Sequence, residues 1–275
     1  EMQRSLVGSE MCIRDRAAVQ ALCPGSDVAA LLDKPNNNLA VEYCKAIIEQ
    51  NVEMQPIALP RQGADHGQAL TESSHTAFAS ASALRALWAE GGAAALAPYV
   101  PEKALKLYKQ AEYDGKYTDF AVMGHCELAL LRAACAGQAP FAAVRGVSEG
   151  LEHRLENAVR ETASLPALLD ALTTVRYPRA RMRRLAMDAA LGYTAQTPAL
   201  PPYLHLLGAR KEALSLPGET ALPLSHSLAR LARENETCAQ MAAAQSRASD
   251  LGALCRTKPE PMGGIYRQKI IFLTN

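Results

Sequence analysis

From about residue 98 onward, one segment after another places its apolar residues with the period of an α-helix. Five such segments follow one another over residues 101–193, and residues 222–255 continue the pattern. Pro101, Pro166 and Pro178 fall near predicted helix starts, where proline is tolerated. Aromatic residues make up only 5% of the chain. The pattern predicts a mainly α-helical domain over residues 98–275, with a short strand element near 203–207, a helix directly after it, and a final strand near 266–273.

The region before residue 98 has a different pattern, in which helices and a strand alternate. The predicted elements are helices over 17–32, 38–50 and 80–90 and a strand over 53–60. A helix followed within a few residues by a strand is typical of an α/β sheet. We therefore expect residues 17–97 to form an α/β domain.

The residues before that domain are set apart by an unusual segment. Residues 5–16, SLVGSEMCIRDR, resemble the one-frame translation of a transposase adapter used to prepare sequencing libraries. We expect residues 1–16 to be an artefactual leader, which removes Cys12 and the charge cluster at 14–16 from functional reasoning. The alternative is a natural polar amino terminus.

Composition excludes several classes of protein and site. The cysteines are scattered singly without a Cys-x-x-Cys pair, and the six histidines lack metal-ligand spacing. We therefore expect reduced thiols, no structural metal and a cytoplasmic location. No apolar run is long enough to cross a membrane. The net charge of +1 leaves only local attraction to nucleic acid.

Three consecutive asparagines follow Pro35 at the start of the predicted helix over 38–50. One of Asn36, Asn37 and Asn38 can cap the helix, and we expect Asn37 or Asn38 to do so. Capping does not explain all three. An asparagine amide both donates and accepts hydrogen bonds, and a helix start can hold a phosphate, so the segment permits nucleotide binding.

Five arginines lie within nine residues, with no acidic residue between them. They are Arg176, Arg179, Arg181, Arg183 and Arg184. Helical spacing places Arg179 and Arg183 on one face, and Arg181 and Arg184 on another. Such a cluster can neutralise several phosphates of a nucleic acid. The alternative is a solvated face balanced by nearby acidic residues, at positions 149, 152, 156 and 161.

The order and spacing of several segments resemble the bacterial tRNA(Met) cytidine acetate ligase family. KPNNNLAVEYCKA (34–46) and IALPR (57–61) match its Pro-Asn-(Asn/Asp)-x-Leu-x-x-x-Tyr-x-Lys motif and the strand ending in Arg that follows. SASALR (80–85) matches its Ser-Ala-Ser/Thr-x-Ile-Arg segment. Further segments between residues 148 and 273 match its helical half, so the resemblance spans most of residues 26–273.

The resemblance implies a fold and a reaction. The fold is a Rossmann-like nucleotidyltransferase domain, present here in part over residues 17–97, followed by a helical tRNA-binding domain over 98–275. The implied enzyme is a ligase that activates acetate with ATP, accompanied by Mg²⁺, as acetyl-adenylate. The acetyl group then passes to the exocyclic amine of the wobble cytidine of elongator tRNA(Met).

The resemblance also implies binding residues. The family's nucleotide contacts, the first Asn after the proline and the strand-terminal Arg, fall on Asn36 and Arg61. Ser82 and Arg85 resemble the second phosphate-side element of nucleotidyltransferases; the alternative for them is a capped surface helix. The five arginines become candidate tRNA contacts.

One part of the family's pattern is absent. Its His-x-Gly-His type motif, which stabilises the phosphates during adenylyl transfer, does not occur in this chain. Catalytic residues therefore stay unknown and are expected upstream, and we expect the 275-residue chain to be amino-terminally truncated and inactive. Two alternatives remain open: a non-catalytic helical RNA-binding module, and a nucleotidyltransferase with another acceptor.

Overall fold

The structure is a computed structural model that describes residues 18–24, 29–30, 32, 35–59, 79–211 and 220–273. The chain divides into two compact units between Gly91 and Gly92. We call residues 1–91 the amino-terminal unit and residues 92–275 the carboxyl-terminal unit. The adapter-like segment and Arg61 lie outside the described residues. The helix expected directly after the strand near 203–207 is wrong for residues 208–210, which form a strand, and residues 212–219 lie outside the described part.

The amino-terminal unit contains two long described helices, α1 (Pro35–Glu49) and α2 (Ala81–Gly91). Of the helix expected over 17–32, residues 18–22 are helical. Helix α2 begins at the predicted place because buried Ser80 accepts a hydrogen bond from the Ala83 backbone N–H at 3.2 Å. This bond satisfies a first-turn donor that has no partner within the helix. The prediction of a second helix near 80–90 is confirmed.

The three asparagines lie inside α1 and not in front of it. The helix begins at Pro35, whose fixed φ suits the first helical position and which has no N–H to leave unpaired there. Asn36, Asn37 and Asn38 therefore occupy the first turn. The prediction that Asn37 or Asn38 caps this helix is wrong, because proline can start the helix earlier.

The strand predicted over residues 53–60 is wrong for the residues that the structure describes. Residues 52–59 contain no strand, and all of their side chains are exposed. Ile57 and Leu59 are 80% and 87% exposed. A strand needs a neighbour for its backbone hydrogen bonds, and the described part of this unit supplies none.

The carboxyl-terminal unit is mainly helical, as the sequence predicts. A short 3₁₀ turn (Ala93–Leu96) precedes its described helices. These are α3 (Glu102–Asp114), α4 (Phe120–Ala134), α5 (Leu151–Glu161), α6 (Leu165–Leu172), α7 (Arg179–Ala190), α8 (Leu228–Leu231), α9 (Glu236–Leu254) and α10 (Gly264–Arg267). The five helices predicted over residues 101–193 are confirmed as α3 to α7. No described helix is both long enough and apolar enough to span a bilayer.

Helices α4 to α7 share the larger hydrophobic core. Each contributes at least one pair of large buried side chains three or four residues apart, a spacing that puts both members of the pair on one helix face. The pairs are Leu128 and Leu131, Leu151 and Leu155, Leu168 and Leu172, and Met182 and Leu185. Burying each such side chain stabilises the fold by about 1.5–3 kcal/mol. This core fixes α7, which carries most of the arginine cluster.

Two short parallel strand pairs complete the carboxyl-terminal unit. β1 (Leu204–His205) pairs with β3 (Leu224–Ser225), and β2 (Gly208–Arg210) pairs with β4 (Ile271–Leu273). The strand predicted near 203–207 is confirmed at β1.

Two boundaries in this region differ from prediction. The final strand begins at Ile271, because α10 occupies part of its predicted range. Residues 224–225, predicted as helical, form β3, because the Leu206 N–H donates to the Ser225 carbonyl oxygen at 3.0 Å.

Candidate nucleotide and RNA-binding sites

The candidate ATP contacts in the amino-terminal unit are exposed side chains on its two helices. Asn36 lies in the first turn of α1, and Ser82 and Arg85 lie in the first half of α2. The Ser82 hydroxyl lies 3.0 Å from that of Ser80, the residue that caps α2. Among the described residues, no hydrogen bond or ion pair joins Asn36 to Ser82 or Arg85. Arg61, the fourth candidate, lies outside the described residues.

Two of the five arginines are already neutralised within the carboxyl-terminal unit. Arg176 forms an ion pair with Glu149, and Arg179 forms one with Asp170 on α6. Glu149 is one of the acidic residues that the sequence offers as a balance, whereas Asp170 is not. Because these guanidiniums already have carboxylate partners, a nucleic acid phosphate would have to compete for them.

Arg181 lies against an aromatic ring. Its guanidinium carbon is 5.1 Å from the centroid of Tyr177, and that of Arg176 is 5.7 Å from the same centroid. The Tyr177 hydroxyl donates to Glu149 at 3.2 Å. Cation–π contact holds these arginines without removing their charge. The tyrosine ring therefore contacts two cationic side chains of the cluster, one of which, Arg176, is also paired with Glu149.

Arg183 and Arg184 are the most available cations of the cluster. Both are exposed on α7. Within the described part of the chain, no carboxylate lies within 4.0 Å of either guanidinium. These two residues can each take a phosphate without first breaking an ion pair, so they are the strongest anion-binding candidates on this surface.

A buried carboxyl lies behind this surface, and sequence reasoning missed it. Glu127 on α4 is 1% exposed, and its Oε1 has no hydrogen-bond partner. Burial raises the pKa of Glu127 from 4.5 to about 7, and the charge of Arg183 partly opposes that rise. In the sequence, Glu127 is a single acid on the apolar face of α4, between Gly124 and Leu128. A lone acidic residue at an apolar helix position is the sequence feature from which its burial could have been predicted.

The described residues contain no group of His, Cys, Asp and Glu side chains that could hold a metal ion. Six free cysteines, from Cys23 to Cys255, fall within the described ranges, and no disulfide joins any two of them.

The chain matches a known protein family over most of its length. The family model for HIGH nucleotidyl transferase covers residues 12–263. The match begins inside the adapter-like segment 5–16.

Curated relatives carry a more specific name. A tRNA(Met) cytidine acetate ligase of Listeria monocytogenes is 30% identical over 183 residues, which is 66% of this chain and 45% of that protein. The ligase of the same name from Geobacillus is 29% identical over 185 residues, 64% of this chain and 45% of that protein. The one from Streptococcus mutans is 30% identical over 177 residues, 64% and 43% respectively. The chain thus spans somewhat less than half the length of these relatives.

Solved structures show the same fold. The apo structure of Thermotoga maritima TmcAL superposes with a TM-score of 0.80 at 20% identity, over 96% of this chain and 66% of that one. The TmcAL structure with alpha-thio ATP bound gives 0.79 at 19% identity, with the same coverage. The predicted fold class, a nucleotidyltransferase-like α/β domain followed by a helical domain, is confirmed at this level.

The residues matched by the family model include the motifs at residues 34–46, 57–61 and 80–85. The chain belongs to the HIGH nucleotidyl transferase family, and its predicted kinship with the bacterial tRNA(Met) cytidine acetate ligases is confirmed.

Proposed function

We propose that this chain is part of a tRNA(Met) cytidine acetate ligase. In this proposal the amino-terminal unit contributes to ATP binding and the carboxyl-terminal unit holds elongator tRNA(Met), in the cytoplasm. The observation that carries the proposal is the pair of exposed guanidiniums of Arg183 and Arg184 on α7, for which the described residues supply no ion-pair partner, in a protein whose relatives bear the ligase name. Phosphate contacts of this kind supply much of the affinity for RNA.

The proposed reaction has two steps. An acetate oxygen attacks the α-phosphorus of ATP, forming acetyl-adenylate and releasing pyrophosphate. The exocyclic amine of the wobble cytidine then attacks the acetyl carbonyl, loses a proton and releases AMP. Asn36 would bond the nucleoside. Arg61 and Arg85 would hold phosphate oxygens with forked guanidinium groups, and Ser82 would donate to one of them.

The 275-residue chain by itself should not carry out the first step. Its sequence has no His-x-Gly-His type motif to stabilise the phosphates during adenylyl transfer. We expect no acetate-dependent release of pyrophosphate from ATP, measured with a coupled pyrophosphate assay. Release above that of a sample without acetate would contradict this expectation.

The tRNA surface is tested by replacing its two unneutralised cations. We expect Arg183→Ala and Arg184→Ala each to weaken binding of a tRNA(Met) transcript to the full chain and to lower the slope of log affinity against log salt by about one. Arg176→Ala should have a smaller effect, because Glu149 already neutralises that side chain.

Lys106→Ala on α3 is the charge-matched control, since Lys106 is paired with Glu102 outside the cluster. Filter binding or fluorescence anisotropy over a salt series gives both quantities. If a double variant at positions 183 and 184 bound tRNA as tightly as the parent chain, the proposed surface would not be the tRNA-binding surface.

A helical RNA-binding module without catalysis is the second candidate. It is favoured by the distribution of burial, since nearly all of the described core belongs to the carboxyl-terminal unit. The two candidates differ in nucleotide binding. Loss of ATP affinity in an Asn36→Ala variant would support the ligase, whereas tRNA binding by a chain with no measurable ATP affinity would support the module.

A further inference from the structure

A groove of about 370 Å³ opens between α4, the start of α6 and α7. One side is apolar and is lined by residues that include Phe120, Leu165 and Gly124. The other side carries Arg179 and Arg183. Sequence analysis placed these two arginines on one helix face, and both do line this groove. It therefore combines an apolar wall with a cationic one.

The apolar wall presents an aromatic ring to solvent. Phe120, the first residue of α4, is 72% exposed. The buried Gly124, one turn later, lies against Leu165, whose Cβ would be 3.5 Å from a Cβ added at this glycine. An exposed aromatic ring beside this apolar wall is a surface on which another planar group can stack.

Of the two guanidiniums on the cationic wall, one already forms an ion pair and the other does so with none of the described residues. Arg179 is paired with Asp170, whereas Arg183 has no carboxylate within ion-pair distance among the described residues. His125 also lines the groove, and its Nδ1–H donates to the Ala121 carbonyl oxygen at 2.8 Å. With that proton on Nδ1, the neutral ring offers Nε2 as a hydrogen-bond acceptor.

We propose that this groove holds one unpaired nucleotide of the bound RNA, with its base stacked on Phe120 and its phosphate on Arg183. The inference rests on the proposed function, in which the carboxyl-terminal unit binds tRNA, and adds which part of the RNA lies here. A base within a duplex has both faces covered and cannot stack on a side chain, whereas a base in a loop can.

The charges around the groove fit a nucleic acid better than a small molecule that carries an apolar group and a single carboxylate. A second cation lies on α7 outside the groove. Arg184 is exposed next to Arg183 but does not line the groove. A single carboxylate would use one guanidinium and leave the other without a role. A polynucleotide brings a phosphate with every base, so a chain passing over α7 can satisfy both.

The test measures the affinity of the full 275-residue chain for two labelled RNAs by fluorescence anisotropy. One is a single-stranded oligouridylate of about ten nucleotides, and the other is an RNA duplex of the same length. We expect Phe120→Ala to weaken the single-stranded complex by on the order of tenfold, with its salt slope unchanged. The duplex affinity should not move.

Three further variants define what the ring contributes. Phe120→Tyr keeps an aromatic face and should bind like the parent chain, whereas Phe120→Leu keeps only apolar bulk and should bind like Phe120→Ala. Leu107→Ala on α3 is the matched control, because Leu107 is also 72% exposed but does not line the groove. Arg183→Ala should weaken binding and lower the salt slope by about one.

The outcomes separate this inference from the proposed function. If Phe120→Ala bound the oligouridylate like the parent chain while Arg183→Ala and Arg184→Ala weakened tRNA binding, the stacking site would be wrong and the tRNA surface would stand. Equal loss for single strand and duplex, or Phe120→Leu as good as Phe120→Tyr, would also overturn it. No salt-dependent RNA binding by the parent chain would overturn both.

Discussion

At the scale of single residues, Glu127 is the least expected feature of this protein. It occupies a position of α4 between Gly124 and Leu128, where a leucine would follow the pattern, and its Oε1 has no hydrogen-bond partner. Burying an ionised carboxyl without a partner is costly, so the protonated form is favoured and the pKa rises to about 7. Near neutral pH, this side chain is divided between its two protonation states.

The raised pKa of Glu127 predicts that the contribution of this one side chain to stability falls as pH rises. The pKa of Glu127 is higher in the folded protein than the ordinary value of 4.5. Its contribution to stability is therefore complete below about pH 4.5 and is lost as pH rises through about 7. Glu127→Gln, which mimics the neutral carboxyl, should match the parent chain near pH 5 and exceed it at pH 8 by about 2–3 kcal/mol.

Urea unfolding at a series of pH values measures this difference. Glu102→Gln is the control, because the side chain of Glu102 is 80% exposed and pairs only with Lys106 on the helix surface. The gap between the Glu102 variant and the parent should change little over the same range. A gap for Glu127→Gln that stayed constant from pH 5 to pH 8 would contradict the assignment of a titrating buried carboxyl.

At the scale of elements, the start of α4 is held by hydrogen bonds from both the side chain and the backbone of Asp119. The Asp119 side chain accepts hydrogen bonds from the Ala121 and Val122 backbone N–H groups at 2.8 and 3.2 Å. The Asp119 N–H donates to the Cys255 carbonyl oxygen at 2.8 Å, at the end of α9. One residue thus caps α4 and ties it to the end of another helix. Phe120, the aromatic wall of the groove, follows directly.

Removing this cap should destabilise the carboxyl-terminal unit. We expect Asp119→Ala to lower the free energy of unfolding by about 1–2 kcal/mol, since two first-turn donors lose their acceptor. Asp119→Asn keeps a side-chain oxygen at the same place and should cost only a few tenths of a kcal/mol. Chemical denaturation of the three proteins side by side gives the values, and an alanine variant as stable as the parent would refute the capping role.

At the scale of the whole molecule, the two units differ in how much apolar surface they bury. In the described part of the amino-terminal unit, large apolar side chains on α1 and after it are exposed, among them Tyr43, Ile48 and Ile57 at 63%, 78% and 80%. In the carboxyl-terminal unit, the core leucines of α4 to α7 (Leu128, Leu131, Leu151, Leu155, Leu168, Leu169, Leu172 and Leu185) are at most 5% exposed. Burial of apolar area is the main source of stability, so the second unit should be the sturdier one.

Limited proteolysis tests this difference. With trypsin at low concentration, we expect early cleavage within residues 1–91 and a resistant fragment that begins close to Gly92. Intact-mass analysis of the time course identifies the fragment. Survival of residues 1–91 while α4 to α7 are cut would reverse the order that burial predicts.

What the sequence determined by itself is the part of the molecule set by local periodicity and by motif. Helices α3 to α7 have their apolar residues at helical spacing, and this pattern is local, so it can be read without the fold. The family resemblance was found for the same reason, because it rests on the order and spacing of several segments, at residues 34–46, 57–61, 80–85 and between 148 and 273, and these can be read along the sequence. Helix α2 was predicted over residues 80–90 because its pattern and the glycines that follow it are also local in sequence.

Only the tertiary structure decided which polar groups meet. The sequence placed five arginines together, but Arg179 is neutralised by Asp170 on another helix, and Arg183 is left available. The strand predicted over residues 53–60 was wrong for its described residues because a strand depends on a pairing strand that can be distant in sequence, and a local pattern does not show whether one exists. The sequence could not show that Glu127 is buried, or that Phe120 and Arg183 line one groove. Burial and pairing across elements arise from packing, and packing is not a local property of the chain.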